Sequence, residues 1–379
     1  LYVGGNAGML HAFDASTMVE KFAFVPTAVL PRLSRLTGNN YNHEFYVDGS
    51  PVVADVYDKN TAVWRTILVG SLRAGGKGLF ALDVTEPGMD GSGIKLLWEL
   101  HEGNFPASIN GVAASVGLGY SFPQPTVARL HDGNWAVITG NGYKAAGSNN
   151  GKAALFVINA MTGKLIKSLE VQSPVSSAEN GLSTPTLADF DGDGVADYAY
   201  AGDLHGNLWR FDLLGAGKQA AVDGSSAGSY GGKNDREGFR VSYGGRPLFM
   251  ARSGQGNMQP IMAAPTLVRH PSRTGYLVAF GTGKYFENGD KTGDGSNRQT
   301  ASAVWDMHTN AQDTDGRMQL VQRADLQRQQ LTAVSGGKGT GQVSGRERQV
   351  RGLSSEQVEW FHAADKGRVN RRGWYFDLD

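Results

Sequence analysis

The chain has 379 residues, 36 basic against 36 acidic side chains, 40% hydrophobic content and no cysteine. Zero formal net charge gives no bulk attraction to nucleic acid or to an anionic membrane. The missing cysteines remove disulfides, thiolate catalysis and Cys-ligated metals, and no apolar run reaches the roughly 18 residues of a transmembrane helix.

In chain order, the opening phrase "LYVGGNAGMLHAFDA" reads as two strands joined by a glycine-rich turn. A longer phrase then recurs. It starts with Pro and a short apolar run: "SPVVADVY" from Ser50, "QPTVARLH" from Gln124, "TPTLADFD" from Thr184 and "APTLVRHP" from Ala264. After a turn comes a second strand ending in small residues: "RTILVGS", "NWAVITGNG", "DYAYAGD" and "GYLVAFGTG". A third strand ends each copy: "GLFALDV", "ALFVINA", "NLWRFDL" and "SAVWDMH". The opening matches the second and third strands of one more copy, and the closing "GWYFDLD" matches a third strand.

Repetition of short strands around Pro51, Pro125, Pro185 and Pro265 predicts an all-β fold, a modified β-propeller of short antiparallel blades. Pro is tolerated at the start of a first strand, where no ladder donor is required. Residues 1–379 form one domain in this reading, with terminal blades cut through their middle and any targeting segment outside the chain. Two segments break the pattern and are expected to be insertions. One is Gly/Ser-rich, at about 215–258. The other is polar and partly helical, at about 310–372, with Met318, Val321, Leu326 and Leu331 at roughly helical spacing and a helix start at Ser354.

The candidate site is "DFDGDGVAD" from Asp189. Asp189, Asp191 and Asp193 can point inward from alternate positions of a tight loop, Gly194 permits the sharp turn, Val195 offers its carbonyl, and Asp197 closes the loop. Such a cage suits Ca²⁺, which takes six to eight oxygens at about 2.3–2.6 Å; Mg²⁺ demands tighter octahedral geometry. Crowded carboxylates repel one another, and a divalent cation relieves that repulsion. An exposed acidic turn is the bland alternative. The second acidic stretch, "ENGDKTGDGSN" from Glu287, lacks a third carboxylate in register and reads as a hairpin tip. The chain contains no HExxH, GxSxG or P-loop, and His205, beside the acidic loop, has no catalytic partner in the sequence.

The phrases "LYVGGNAGMLHAFDA", "HEFYVDGSPVVADV", "TILVGSLRAGGKGLFALDVT", "GVADYAYAGDLHGNLWRFDL", "GTGKYFENGD" and "GWYFDLD" together resemble the C-terminal domain of the PilY/PilC family, the type IV pilus tip-associated adhesins and biogenesis factors of bacteria. The resemblance implies a propeller on an exported protein at the pilus tip, outer membrane or cell surface. It implies a Ca²⁺ loop at Asp189, Asp191, Asp193, Val195 (through its carbonyl) and Asp197, linked to pilus extension and retraction and hence twitching motility. Implied partners are minor or major pilins and host-cell or abiotic surfaces, with no nucleic acid. The Arg-Gly-Asp triplet that some members carry is absent here.

The resulting expectation is a non-enzymatic calcium-binding module. Two alternatives stand beside it. "LYVGGNAGMLHAFDASTM" also resembles the blade-ending phrase of pyrroloquinoline-quinone propeller dehydrogenases, which would make the chain an enzyme. A structural propeller in which calcium only stabilises a blade is the other.

Overall fold

The computed structural model describes residues 1–39, 42–88, 90–109, 112–214, 238–291, 298–307, 320–333, 351–365 and 367–378. Each Pro-led phrase becomes the first strand of an antiparallel blade. Blade 2 is Val52–Asp58, Val63–Ser71, Gly78–Asp83 and Lys95–His101. Blade 3 is Thr126–Arg129, Trp135–Gly140, Lys152–Asn159 and Leu165–Gln172. Blade 4 begins Thr186–Ala188, Tyr198–Gly202 and Asn207–Asp212, and blade 5 begins Thr266–Arg269, Tyr276–Gly281 and Thr300–Asp306. Blade 1, at the start of the chain, has three strands, Tyr2–Gly4, Leu10–Phe13 and Glu20–Phe24.

The middle strands read as continuous apolar runs because each serves two seams. Successive side chains on a strand point to opposite faces. Along Lys152–Asn159, Ala154, Phe156 and Ile158 pack with Ile67, Val69 and Trp98 of blade 2. The alternate residues Ala153, Leu155 and Val157 pack with Ala199, Ala201 and Trp209 of blade 4. Blade 4 repeats the arrangement, with Tyr198, Tyr200 and Leu208 meeting Tyr276, Val278 and Val304 of blade 5. Leu68, Phe80 and Leu82 meet Leu10 of blade 1. The core is thus a series of inter-blade seams, which is the packing of a propeller.

Four sequence expectations change. The closing segment, Gly373–Asp377, pairs with Thr300–Asp306 and fills the fourth-strand place of blade 5, not a third-strand place. The described part of the Gly/Ser-rich segment is not a plain insertion. Arg240–Val241 and Phe249–Met250 both pair with Asn207–Asp212 and supply the outer edge of blade 4, while 215–237 lie outside the described residues.

The helix expected around Val321–Leu331 does not form. A 3-10 turn at Arg323–Asp325 leads into Gln327–Arg328, which runs parallel beside Gly373–Asp377. Val321 and Leu326 are buried in the blade 4/5 seam, and Arg323 pairs with Asp377 at 2.7 Å, so the segment is drawn out along the last strand. Met318 lies outside the described residues. Ser354 caps no helix either. Its hydroxyl donates to Gln329 Oε1, which also accepts the Glu356 amide, and the chain from Ser354 to Trp360 runs without helical structure.

Candidate metal centre

The acidic loop connects the first and second strands of blade 4, Thr186–Ala188 and Tyr198–Gly202, at one end of the hairpin. Ala188 and Tyr198 are the last ladder pair before the loop, and the Asp197 amide donates to the Ala188 carbonyl at 2.8 Å. Gly192 and Gly194 take φ of +81° and +78°, the left-handed region in which an L side chain is strained.

Asp189 organises the loop. Its Oδ1 accepts the amides of Gly192 (2.7 Å) and Asp193 (3.1 Å), and its Oδ2 accepts that of Gly194 (2.8 Å). Asp197 anchors the far end. It is 2% exposed, its Oδ2 accepts the Phe190 amide at 2.7 Å, and its Oδ1 lies 2.9 Å from Nε2 of His131. A carboxylate can only accept, so Nε2 of His131 carries the proton.

The carboxylates of Asp189, Asp191 and Asp197 come together, each offering an oxygen within 4.8 Å of the others. Asp191 is exposed, Asp189 half-buried and Asp197 buried, so the group opens to solvent on the Asp191 side. Asp193 lies outside that convergent group. It is exposed, and its Oδ1 accepts the Val195 amide at 2.9 Å. The Val195 side chain is buried. An all-oxygen set of this kind fits a hard divalent cation with room for water ligands, and carboxylate oxygens that already accept one amide retain further lone pairs for a metal.

The neighbouring blades hold the loop. From blade 3, the Arg129 carbonyl accepts the Ala196 amide at 3.1 Å, besides the His131 contact. From blade 5, Tyr276 donates its hydroxyl to the Asp189 carbonyl at 3.2 Å. The Arg269 guanidinium bonds the Phe190 carbonyl and sits 4.5 Å over the Phe190 ring. Sequence reasoning missed both supports, since "HDGN" at His131 reads as an ordinary turn and nothing local marks Arg269.

Other candidates resolve into structural roles. His205 is buried, with Nδ1 at 2.8 Å from Ser173 Oγ and Nε2 at 2.9 Å from the Glu179 carbonyl. In the second acidic stretch, Asp290 Oδ2 accepts the amides of Phe286 and Glu287. Glu287 accepts the Tyr143 hydroxyl and pairs with Lys144 and Lys284. Asp294 lies outside the described residues. Trp209 is buried in the blade 3/4 seam, Trp305 is buried against His270, Trp360 and Phe361, and Trp374 sits half-buried on the fourth strand of blade 5. Among the described residues no helix is long and apolar enough to cross a membrane.

With the fold and the loop defined, comparison with known proteins is decisive. A family model described as the PilY1 beta-propeller domain matches residues 1–337. The chain belongs to the PilY1 β-propeller family. The type IV pilus biogenesis factor PilY1 of Pseudomonas aeruginosa strain PAO1 is 49% identical over 381 residues, covering 100% of this chain and 30% of that protein. A PilY1 homolog from Xylella fastidiosa strain Temecula1 is 38% identical over 317 residues, covering 81% of this chain and 19% of the relative. The crystal structure of the P. aeruginosa PilY1 C-terminal domain superposes with a TM-score of 0.79 at 47% identity, over 100% of this chain and 70% of that one. The chain therefore spans under a third of the length of these PilY1 relatives, which are named as pilus biogenesis factors and not as enzymes.

Proposed function

We propose that this PilY1-family propeller is the calcium-binding module of an exported protein associated with the type IV pilus, and that occupancy of the Asp189–Asp197 loop regulates pilus extension and retraction. Twitching motility and surface adhesion follow from that control. The observation that carries the reading is the convergence of Asp189, Asp191 and Asp197 within 4.8 Å. Asp193 and the Val195 carbonyl complete the proposed cage, on the spacing of the loop and the family likeness.

Bound calcium supplies charge neutralisation to the carboxylates. Asp197 is already fixed by His131 and Phe190, so ordering falls on the exposed half of the loop, Asp191 to Gly194. A pilin that reads the ordered form couples the cation to the pilus, provided it distinguishes the two loop states.

The test uses the full-length protein in its own cell. Asp191→Ala removes an exposed carboxylate without touching the core, and it is expected to leave the protein present and folded while altering retraction. Wild-type retraction with the variant at normal abundance would reject the regulatory role. A second reading is favoured by the contacts of His131 and Arg269, which tie the loop to blades 3 and 5. In that reading calcium stabilises the seams by mass action and signals nothing. Calcium would then raise the melting temperature while Asp191→Ala left retraction unchanged.

A further inference from the structure

The first two strands of blades 2 and 3 carry a second feature that the calcium loop does not use. Tyr57 and Trp64 are cross-strand partners in blade 2, with ring centroids 5.5 Å apart. Arg129 and Trp135 are cross-strand partners in blade 3, and Trp64 meets Trp135 edge to face at 6.0 Å. Between the hairpins lies a half-open cleft of about 370 Å³, lined by Tyr57, Lys59, Trp64, Arg129, Gly133 and Trp135. That volume falls at the low end of small-molecule sites, about 300–1,000 Å³.

The lining has a definite chemistry. Trp64 is 58% exposed, so its indole contributes little to the core. Both cations face a cleft lined by no carboxylate. Lys59 donates one of its protons to the Asp132 carbonyl, leaving two. The exposed Arg129 guanidinium has no ion-pair partner among the described residues. Gly133, at φ +73°, brings bare backbone beneath Lys59; a Cβ there would stand 2.8 Å from Nζ.

We propose that this cleft binds an acidic saccharide of one or two sugar rings. A pyranose has a C–H face that stacks on an indole and a polar edge that needs hydrogen bonds. A uronate adds a carboxylate, which the guanidinium fork of Arg129 takes in two parallel bonds. A simple inorganic anion would leave the three rings without a role. A single-stranded nucleic acid would use the rings, but two cations do not make a track for its backbone.

Calorimetric titration of the purified chain with digalacturonate tests the assignment, using its dimethyl ester and a short oligothymidylate as competing chemistries. EDTA is present throughout, so that no signal comes from calcium bridging sugar to the acidic loop. Saturable binding of digalacturonate is expected, weakened about tenfold or more by Arg129→Ala and by Trp64→Ala, with the ester binding about as weakly as the acid binds the Arg129 variant. Both positions are exposed, and melting temperatures matching wild type confirm folding; Arg129→Gln and Trp64→Phe serve as milder replacements. Absence of binding, equal binding of acid and ester, unchanged affinity in the variants, or tighter binding of the oligonucleotide each overturns the proposal. None of these outcomes bears on calcium binding by Asp189–Asp197.

Discussion

Nε2 of His131 lies 2.9 Å from Oδ1 of Asp197, although the residues are 66 apart in the chain and belong to different blades. The contact fixes the one buried carboxylate of the acidic loop, while Asp191 is exposed to solvent. It also ties the loop to the blade 3/4 seam.

Removing that support should weaken the site without emptying it. Partners that orient a metal-binding side chain typically contribute about 10–100-fold in affinity. His131→Ala is therefore expected to lower calcium affinity by that order in calorimetry, with the Phe190 amide still holding Asp197 Oδ2. An unchanged affinity would separate His131 from the site.

Gly192 and Gly194 distinguish the two readings of the loop. No atom lies within 4 Å of a Cβ built at either, so alanine there meets no clash and only the left-handed φ penalises it. That penalty is about 1–2 kcal/mol. If the loop orders on binding, Gly194→Ala lowers calcium affinity by roughly 5–30-fold and leaves the calcium-free melting temperature unchanged. If the loop is set beforehand, the loss appears in the calcium-free melt.

The blade 4/5 seam encloses a charged cluster. Arg210 Nη1 lies 3.1 Å from Asp306 Oδ2, which also accepts the Tyr200 hydroxyl at 2.7 Å, and Tyr243 donates to Asp306 Oδ1. Burial pushes the Asp306 pKa upward, but the Arg210 charge and the tyrosine hydroxyls outweigh it and hold the carboxyl below the ordinary range. Asp306→Ala should destabilise by about 3–5 kcal/mol, because Arg210 stays buried and loses a counter-charge. Denaturant unfolding measures this. A loss below about 1 kcal/mol would show that Asp212, 3.1 Å from Arg210, suffices alone.

His270 gives a pH signature. It stacks on Trp305 at 3.7 Å and is 2% exposed. Its Nδ1 accepts the Ser272 amide, and its Nε2 has no partner among the described residues. Burial lowers its pKa from 6.5 to about 4. The folded state therefore favours neutral imidazole. As pH falls below 6.5 the unfolded chain takes up a proton that the native state refuses until about 4, so stability drops across that window. His270→Phe keeps the stacking and should remove that part of the slope in melts taken between pH 7 and 4.5. An unaltered slope would assign the acid sensitivity to carboxylates alone.

The fold was largely legible because the inner strands face two seams and their apolar runs repeat with the Pro-led phrase. The fourth strands were not. Lys95–His101 and the two pieces at Arg240–Val241 and Phe249–Met250 lie at blade edges, are short or half-exposed, and share no wording. The spacing of Val321 and Leu326 suggested a helix, but burial in a seam and the Arg323–Asp377 pair select an extended path. At the candidate site, the spacing of the aspartates pointed to Asp189, Asp191, Asp193 and Asp197, of which Asp189, Asp191 and Asp197 converge and Asp193 does not, whereas His131 and Arg269 reach the loop only through blade packing. The cleft beside Trp64 and Trp135 arises the same way, from two hairpins distant in sequence.

The most direct test is calcium titration by calorimetry into the wild-type chain and Asp191→Ala. A single saturable site in the wild type, lost in a variant with the same melting temperature in EDTA, is the predicted result. Equal affinity in the two proteins, or no calcium uptake by the wild type, would contradict a metal centre in this loop.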